Sequence, residues 1–333
     1  MTSVLRRFRQ YVGWSFPSHG GFQSIADKVL QAERIIIVYY AASIYISAAL
    51  VIEIGALTRD TAQGAWDFLW PLVWVDYFDA NLVLELLSIL TLVGALAALQ
   101  FRRYRLVRLV FALLFFLTAT SVNSTGGINH PYHAWLMTGF VFVLLPDGRI
   151  EEFSRASRMS YLTVLLTAQA MFMLTYTMAG LWKVVLGAVA FLADIPGNFS
   201  SMALSWTIAN RSLQTGTSPL LADFVVLNPL VVWPGFLAVM YVQVFALVAT
   251  FRPRLHVLWA YALISFHIGT WLTMEIIFIQ HVLLLTILFV MSPFAPRNEE
   301  MSKLIRDLPL AKVPFLIAER MRQKVALKAR VTS

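Results

Sequence analysis

Eight apolar stretches divide this chain, and nearly every Lys and Arg falls on alternate sides of them. A helix needs about 17–25 apolar residues to cross the hydrocarbon core of a bilayer. The stretches run over Ile35–Leu57, Ala80–Phe101, Leu106–Asn123, Ala134–Pro146, Tyr161–Val185, Val225–Phe251, Val257–Met274 and Ile276–Phe294. The fourth is short, and the last two almost touch at Glu275, which predicts a tight helical hairpin. Hydrophobic residues make up 59% of the 333, and the mean hydropathy is +0.71, which excludes an ordinary soluble domain. The predicted fold class is therefore an all-α integral membrane protein with about eight transmembrane helices.

The basic residues orient it. Of the 26 Lys and Arg, only Arg59, Lys183 and Arg211 fall on one side, and the other twenty-three fall on the opposite side. Cytoplasmic loops carry the excess of positive charge, so both termini are expected in the cytoplasm. Three parts follow: a cytoplasmic amphipathic segment over residues 1–33, a polytopic membrane domain over 34–295, and a basic cytoplasmic tail over 296–333. Apolar residues such as Leu304, Leu308 and Phe315 are interleaved with the charges of the tail, a pattern that lies on anionic leaflets. The bilayer thus accounts for the net charge of +8, and no nucleic-acid partner is expected. No apolar core of sufficient length follows Arg9, so no cleavable signal peptide is expected. The chain has no cysteine, which excludes disulfides, thiolate nucleophiles and thiolate metal sites.

Two segments are expected to lie at the interface: the stretch holding Trp66, Trp70, Pro71 and Trp74, and the long connection from Leu186 to Phe224. There is no internal repeat, no phosphate-binding loop and no dinucleotide fingerprint. No pair of broken helices of the transporter kind is evident.

Polar groups inside apolar spans are expensive and ask for a reason. Most of them fall on the expected outer half: Glu53, Asp76, Asp79, Glu85, His130, His133, Lys183, His267, Glu275 and His281. A site, if present, opens outward. Tyr176, Gly180 and Lys183 share one helical face, and Gly180 admits a close neighbouring helix there. Lys183 reads either as a desolvated base or as a residue snorkelling to the interface. The run Asn129-His130-Pro131-Tyr132-His133 reads as a metal-binding pair, a proton relay or the cap of the next helix. Two histidines without a third ligand are a weak metal signal, and no metal site is assigned. His267 reads as a buried interhelical hydrogen-bonding residue or as part of the site.

Three pieces carry a resemblance: Asn129-His130-x-Tyr132-x-x-x-Leu136, Tyr176-x-x-Ala179-Gly180-x-x-Lys183, and Phe266-His267 ahead of a Met- and Phe-rich final hairpin. In order and approximate spacing they resemble the vitamin K-dependent gamma-carboxylase family. They are most similar to its bacterial relatives, the HTTM-domain membrane proteins, over most of residues 30–295. The resemblance implies a quinol-driven reaction on the non-cytoplasmic side of a bacterial inner membrane. A neutral lysine deprotonates a vitamin K-like quinol, oxygen converts the quinol to an epoxide through a strongly basic alkoxide, and that base removes a carbon-bound proton before CO2 adds. Lys183 matches the base, His130 the histidine that holds it, and His267 a further functional histidine. Tyr176, Tyr132 and Asn129 are then candidates for contact with the quinol. Two features depart from the family: there is no room for its large extramembrane peptide-binding region, and Leu181-Trp182-Lys183 replaces two adjacent lysines. The expected function is a gamma-carboxylase-like membrane enzyme using a quinol or another lipid-soluble substrate. The alternative is a non-enzymatic membrane subunit that binds a quinone, a lipid or a partner membrane complex.

Overall fold

Apolar runs of this length leave their backbone groups nowhere to bond but within a helix. A computed structural model bears this out over residues 24–60, 66–125, 130–296 and 301–311, which it describes. In chain order the helices are α1 (Ile25–Asp60), α2 (Ala80–Gln100), α3 (Arg105–Val122), α4 (His133–Phe142), α5 (Arg155–Leu192) and α6 (Ala203–Thr215). There follow α7 (Ala222–Leu227), α8 (Pro229–Val244), α9 (Ala246–Thr250), α10 (His256–Met274), α11 (Ile279–Leu285), a π-helical turn over Thr286–Val290, and α12 (Met301–Asp307). No strand occurs among the described residues. Among the described residues, five helices are long and apolar enough to cross a membrane: α1, α2, α3, α5 and the stretch Pro253–Met274 that contains α10. The chain is consistent with an integral membrane protein in a lipid bilayer. The helices α4, α8 and α11 with its π turn are apolar but shorter.

Local chemistry sets several ends. Asp79 caps α2 by accepting from the Leu82 N–H at 3.2 Å, and Ser154 caps α5 by accepting from the Ser157 N–H at 3.2 Å. Gly216, at φ +66°, closes α6 in the left-handed conformation. Glu275 turns the α10–α11 hairpin at φ +56°, where a glycine is commoner. A 3₁₀ helix over Trp70–Tyr77 occupies the tryptophan-rich segment, with Trp70 largely exposed.

The core lies where α1, α3, α4, α5, α10 and α11 meet. Tyr39 on α1 stacks on Trp135 of α4 at 4.8 Å and donates to the Trp135 carbonyl at 2.9 Å, while the Trp135 indole N–H donates to Ser43 at 3.0 Å. These three buried polar side chains are thus paired, as a low-dielectric interior favours. At one end of the bundle the buried Arg108 of α3 donates to the carbonyls of Arg102 and Leu145 and to the Asp147 carboxylate. The carbonyls at the end of α4 find a donor there.

Several boundaries depart from the sequence expectation. α1 begins at Ile25, so the division at residue 33/34 falls inside a helix, and Lys28 and Arg34 ride on it. Its 36 residues and the 38 of α5 extend to about 54 and 57 Å, well beyond a hydrocarbon core of about 30 Å. Hydropathy locates the apolar window but not the polar turns that continue the helix. The stretch Val225–Phe251 is not one helix. It breaks at Asn228, where Pro229 starts α8, and at Phe245. The amide freed near the second break, Leu247 N–H, donates to Thr177 Oγ1 of α5 at 2.9 Å, so a neighbouring side chain makes the interruption tolerable. One stretch read from hydropathy as a single span is therefore interrupted.

Candidate functional site

The second half of α5 supplies the first group. Tyr176 is buried and shares a 2.6 Å hydrogen bond with His267 Nε2 on α10. In either imidazole tautomer this leaves one ring nitrogen, Nδ1, to be satisfied, and Nδ1 of His267 is buried without a partner. His281, in the first turn of α11, lies 5.5 Å from His267 between ring centroids, and its Nδ1 is likewise buried and unpartnered. Two such atoms on neighbouring rings mark a place that calls for a small polar group, since an unsatisfied buried donor or acceptor costs about 1–3 kcal/mol.

The walls around them are aromatic. Phe278 lies 5.3 Å from each of His267 and His281, Phe266 lies 5.0 Å from His267, and Phe172 lies 5.4 Å from Tyr176 and 5.8 Å from His281. Next to this box, an apolar cleft between α8 and α10 is lined by Ala238, Val239, Val242, Ala262, Leu263 and Phe266.

His130 and His133 lie at the start of α4, their Nδ1 atoms 3.1 Å apart. α4, which begins with His133, packs on α11, which carries His281 in its first turn. Between His130 and His133 in sequence, Tyr132 donates to Glu53 Oε2 of α1 at 2.7 Å. Four histidines from three helices and one loop thus run from the exposed His130 to the buried Tyr176.

Lys183 is placed differently from the expectation. Its side-chain partner is Gln243 of α8, with Nζ donating to Oε1 at 3.0 Å, and His130 bonds to His133 instead. The partner is a neutral amide, not a carboxylate. The helices can come that close because of Gly180. A Cβ there would meet Val244 N at 2.6 Å and Gln243 Cβ at 2.8 Å, so the expected close approach is made by α8. The face of Tyr176, Gly180 and Lys183 therefore addresses two neighbours: α10 through Tyr176, and α8 through Gly180 and Lys183.

Of the sequence candidates, the structure joins Tyr176 with His267 directly. It sets His130 at the far end of the histidine series, Tyr132 on Glu53 and Lys183 on Gln243. Asn129 lies outside the described residues. Sequence alone weighed His133 with His130 as a metal-binding pair or proton relay, and assigned no role in the site to His281 or Gln243. The one signal they offered was that each is a polar residue in or beside an apolar span. Glu85 accepts from Thr58 at 2.8 Å and Glu53 from Tyr132, in separate contacts, and no group of three metal-ligating side chains occurs among the described residues. No family model, curated protein or solved structure matches the chain.

Proposed function

We propose that this chain is a gamma-carboxylase-like membrane enzyme that acts on a quinol or a similar lipid-soluble substrate in the Tyr176–His267–His281 box. The observation that carries the reading is the pair of unpartnered buried Nδ1 atoms of His267 and His281 inside aromatic walls. A planar ring bearing hydroxyl or carbonyl oxygens stacks on phenylalanines and satisfies orphaned ring nitrogens at once. The apolar cleft beside Phe266 suits an isoprenoid tail. Tyr176 and His267 orient the ring oxygen and take or give its proton, and Lys183, farther along α5, supplies a second base. A water-poor site strengthens each of these interactions. In this reading the protein has about eight spans with cytoplasmic termini, sits in a bacterial inner membrane, and opens its site to the non-cytoplasmic side.

The test is oxygen consumption by purified protein in nanodiscs supplied with a reduced naphthoquinone. Turnover above protein-free discs, lost in Tyr176→Phe and in Lys183→Met, supports the enzyme. Wild-type protein that turns over nothing refutes it. A second reading, a quinone-binding subunit without catalysis, is favoured by one contact: Lys183 is held by Gln243 and not by a histidine. Saturable quinone binding without turnover would decide for it.

A further inference from the structure

Exposure falls steadily along the histidine series. His130 is exposed, His133 and His281 are half-buried, and His267 and Tyr176 are buried. Three links have distances: 2.6 Å from Tyr176 Oη to His267 Nε2, 5.5 Å between the His267 and His281 rings, and 3.1 Å between Nδ1 of His130 and of His133; the fourth, from His281 to His133, falls where α11 packs on α4. His267 is bonded to Tyr176 through one nitrogen, and its other nitrogen is buried without a partner. An imidazole takes a proton on one nitrogen while releasing the proton of the other, so it passes protons between its two sides. The ring separation of His267 and His281 suits one small bridging polar group. No electron moves in such a transfer, and each ring resets by rotating.

We propose that His267, His281, His133 and His130 form a proton path between the buried Tyr176 hydroxyl and the exposed start of α4. It deepens the quinol reading above, because a quinol oxidised in this box must shed protons, and the Tyr176 hydroxyl is hydrogen-bonded to His267. Tyr132 and Glu53 flank the path at α4, bonded to each other, and Lys183 lies off it on Gln243. His281 and His133 are relay residues acting through His267, and they need not touch substrate.

The experiment reads proton exchange without any quinol, so it succeeds or fails independently of turnover. In protein labelled with ¹⁵N-histidine and held in nanodiscs, the His267 ring N–H is assigned by its loss in His267→Gln, and its exchange with solvent is measured by NMR. His281→Phe should slow that exchange by roughly a hundredfold, the low end of what one positioned acid–base group contributes. His130→Leu, at an exposed position that tolerates substitution, should slow it in the same direction. His281→Asn, which keeps a polar group there, should recover part of the rate. Unchanged exchange in both His281→Phe and His130→Leu overturns the path. Should His281→Phe not fold, unchanged exchange in His130→Leu alone overturns it.

Discussion

Gly180→Ala tests the helix approach that positions both halves of the site. The new Cβ would lie 2.6 Å from Val244 N, 2.8 Å from Gln243 Cβ and 2.9 Å from Gln243 C. Ordinary contact between heavy atoms is about 3.5–4.0 Å, so α8 must retreat by roughly 1 Å. The neighbours are mostly backbone, and no flexible side-chain end can swing aside. Overpacking of this kind costs about 1–3 kcal/mol, while alanine gains about 1 kcal/mol over glycine in helix propensity. The net expectation is a loss of up to about 2 kcal/mol, together with a lengthened Lys183–Gln243 bond. Gly269 on α10 is the control, because a Cβ added there would have nothing within 4 Å. Gly269→Ala should gain up to about 1 kcal/mol from propensity alone. Reversible unfolding in mixed micelles measures both. The reasoning is refuted if Gly180→Ala matches Gly269→Ala, because propensity would then outweigh the close contact.

Arg108→Met should lower stability in the same assay, by about 1–3 kcal/mol for each carbonyl left without a donor, and an unmoved midpoint would mean that Arg108 anchors nothing. Lys183→Met should abolish quinol turnover and lower stability by about 1–3 kcal/mol, since it leaves the buried Gln243 carbonyl without its donor. Retained turnover would mean that Lys183 only reaches toward the interface. For the topology, reporters fused after Arg105 and after Arg254 should read cytoplasmic and one placed within residues 124–128 should read outside. Reversal of any two rejects the charge argument.

Helical character and the membrane setting were legible in the sequence. Hydropathy and the sidedness of Lys and Arg are sums over neighbouring residues, and neighbours in sequence remain neighbours in a helix. The Tyr176–Gly180–Lys183 face was legible too, because a spacing of four and three is a property of one helix. Which helix meets that face is a different kind of fact. Tyr176 and His267 are 91 positions apart, and Lys183 and Gln243 are 60 apart. Nothing local ties either pair, and the family resemblance directed Lys183 to His130 instead. The same holds for the break at Phe245. Leu247 gives up its place in a continuous helix because Thr177, on another helix, accepts its N–H. These pairings come from packing between helices. A buried polar group takes whichever partner the neighbouring helix brings within about 3 Å, and the sequence of one helix does not contain that neighbour.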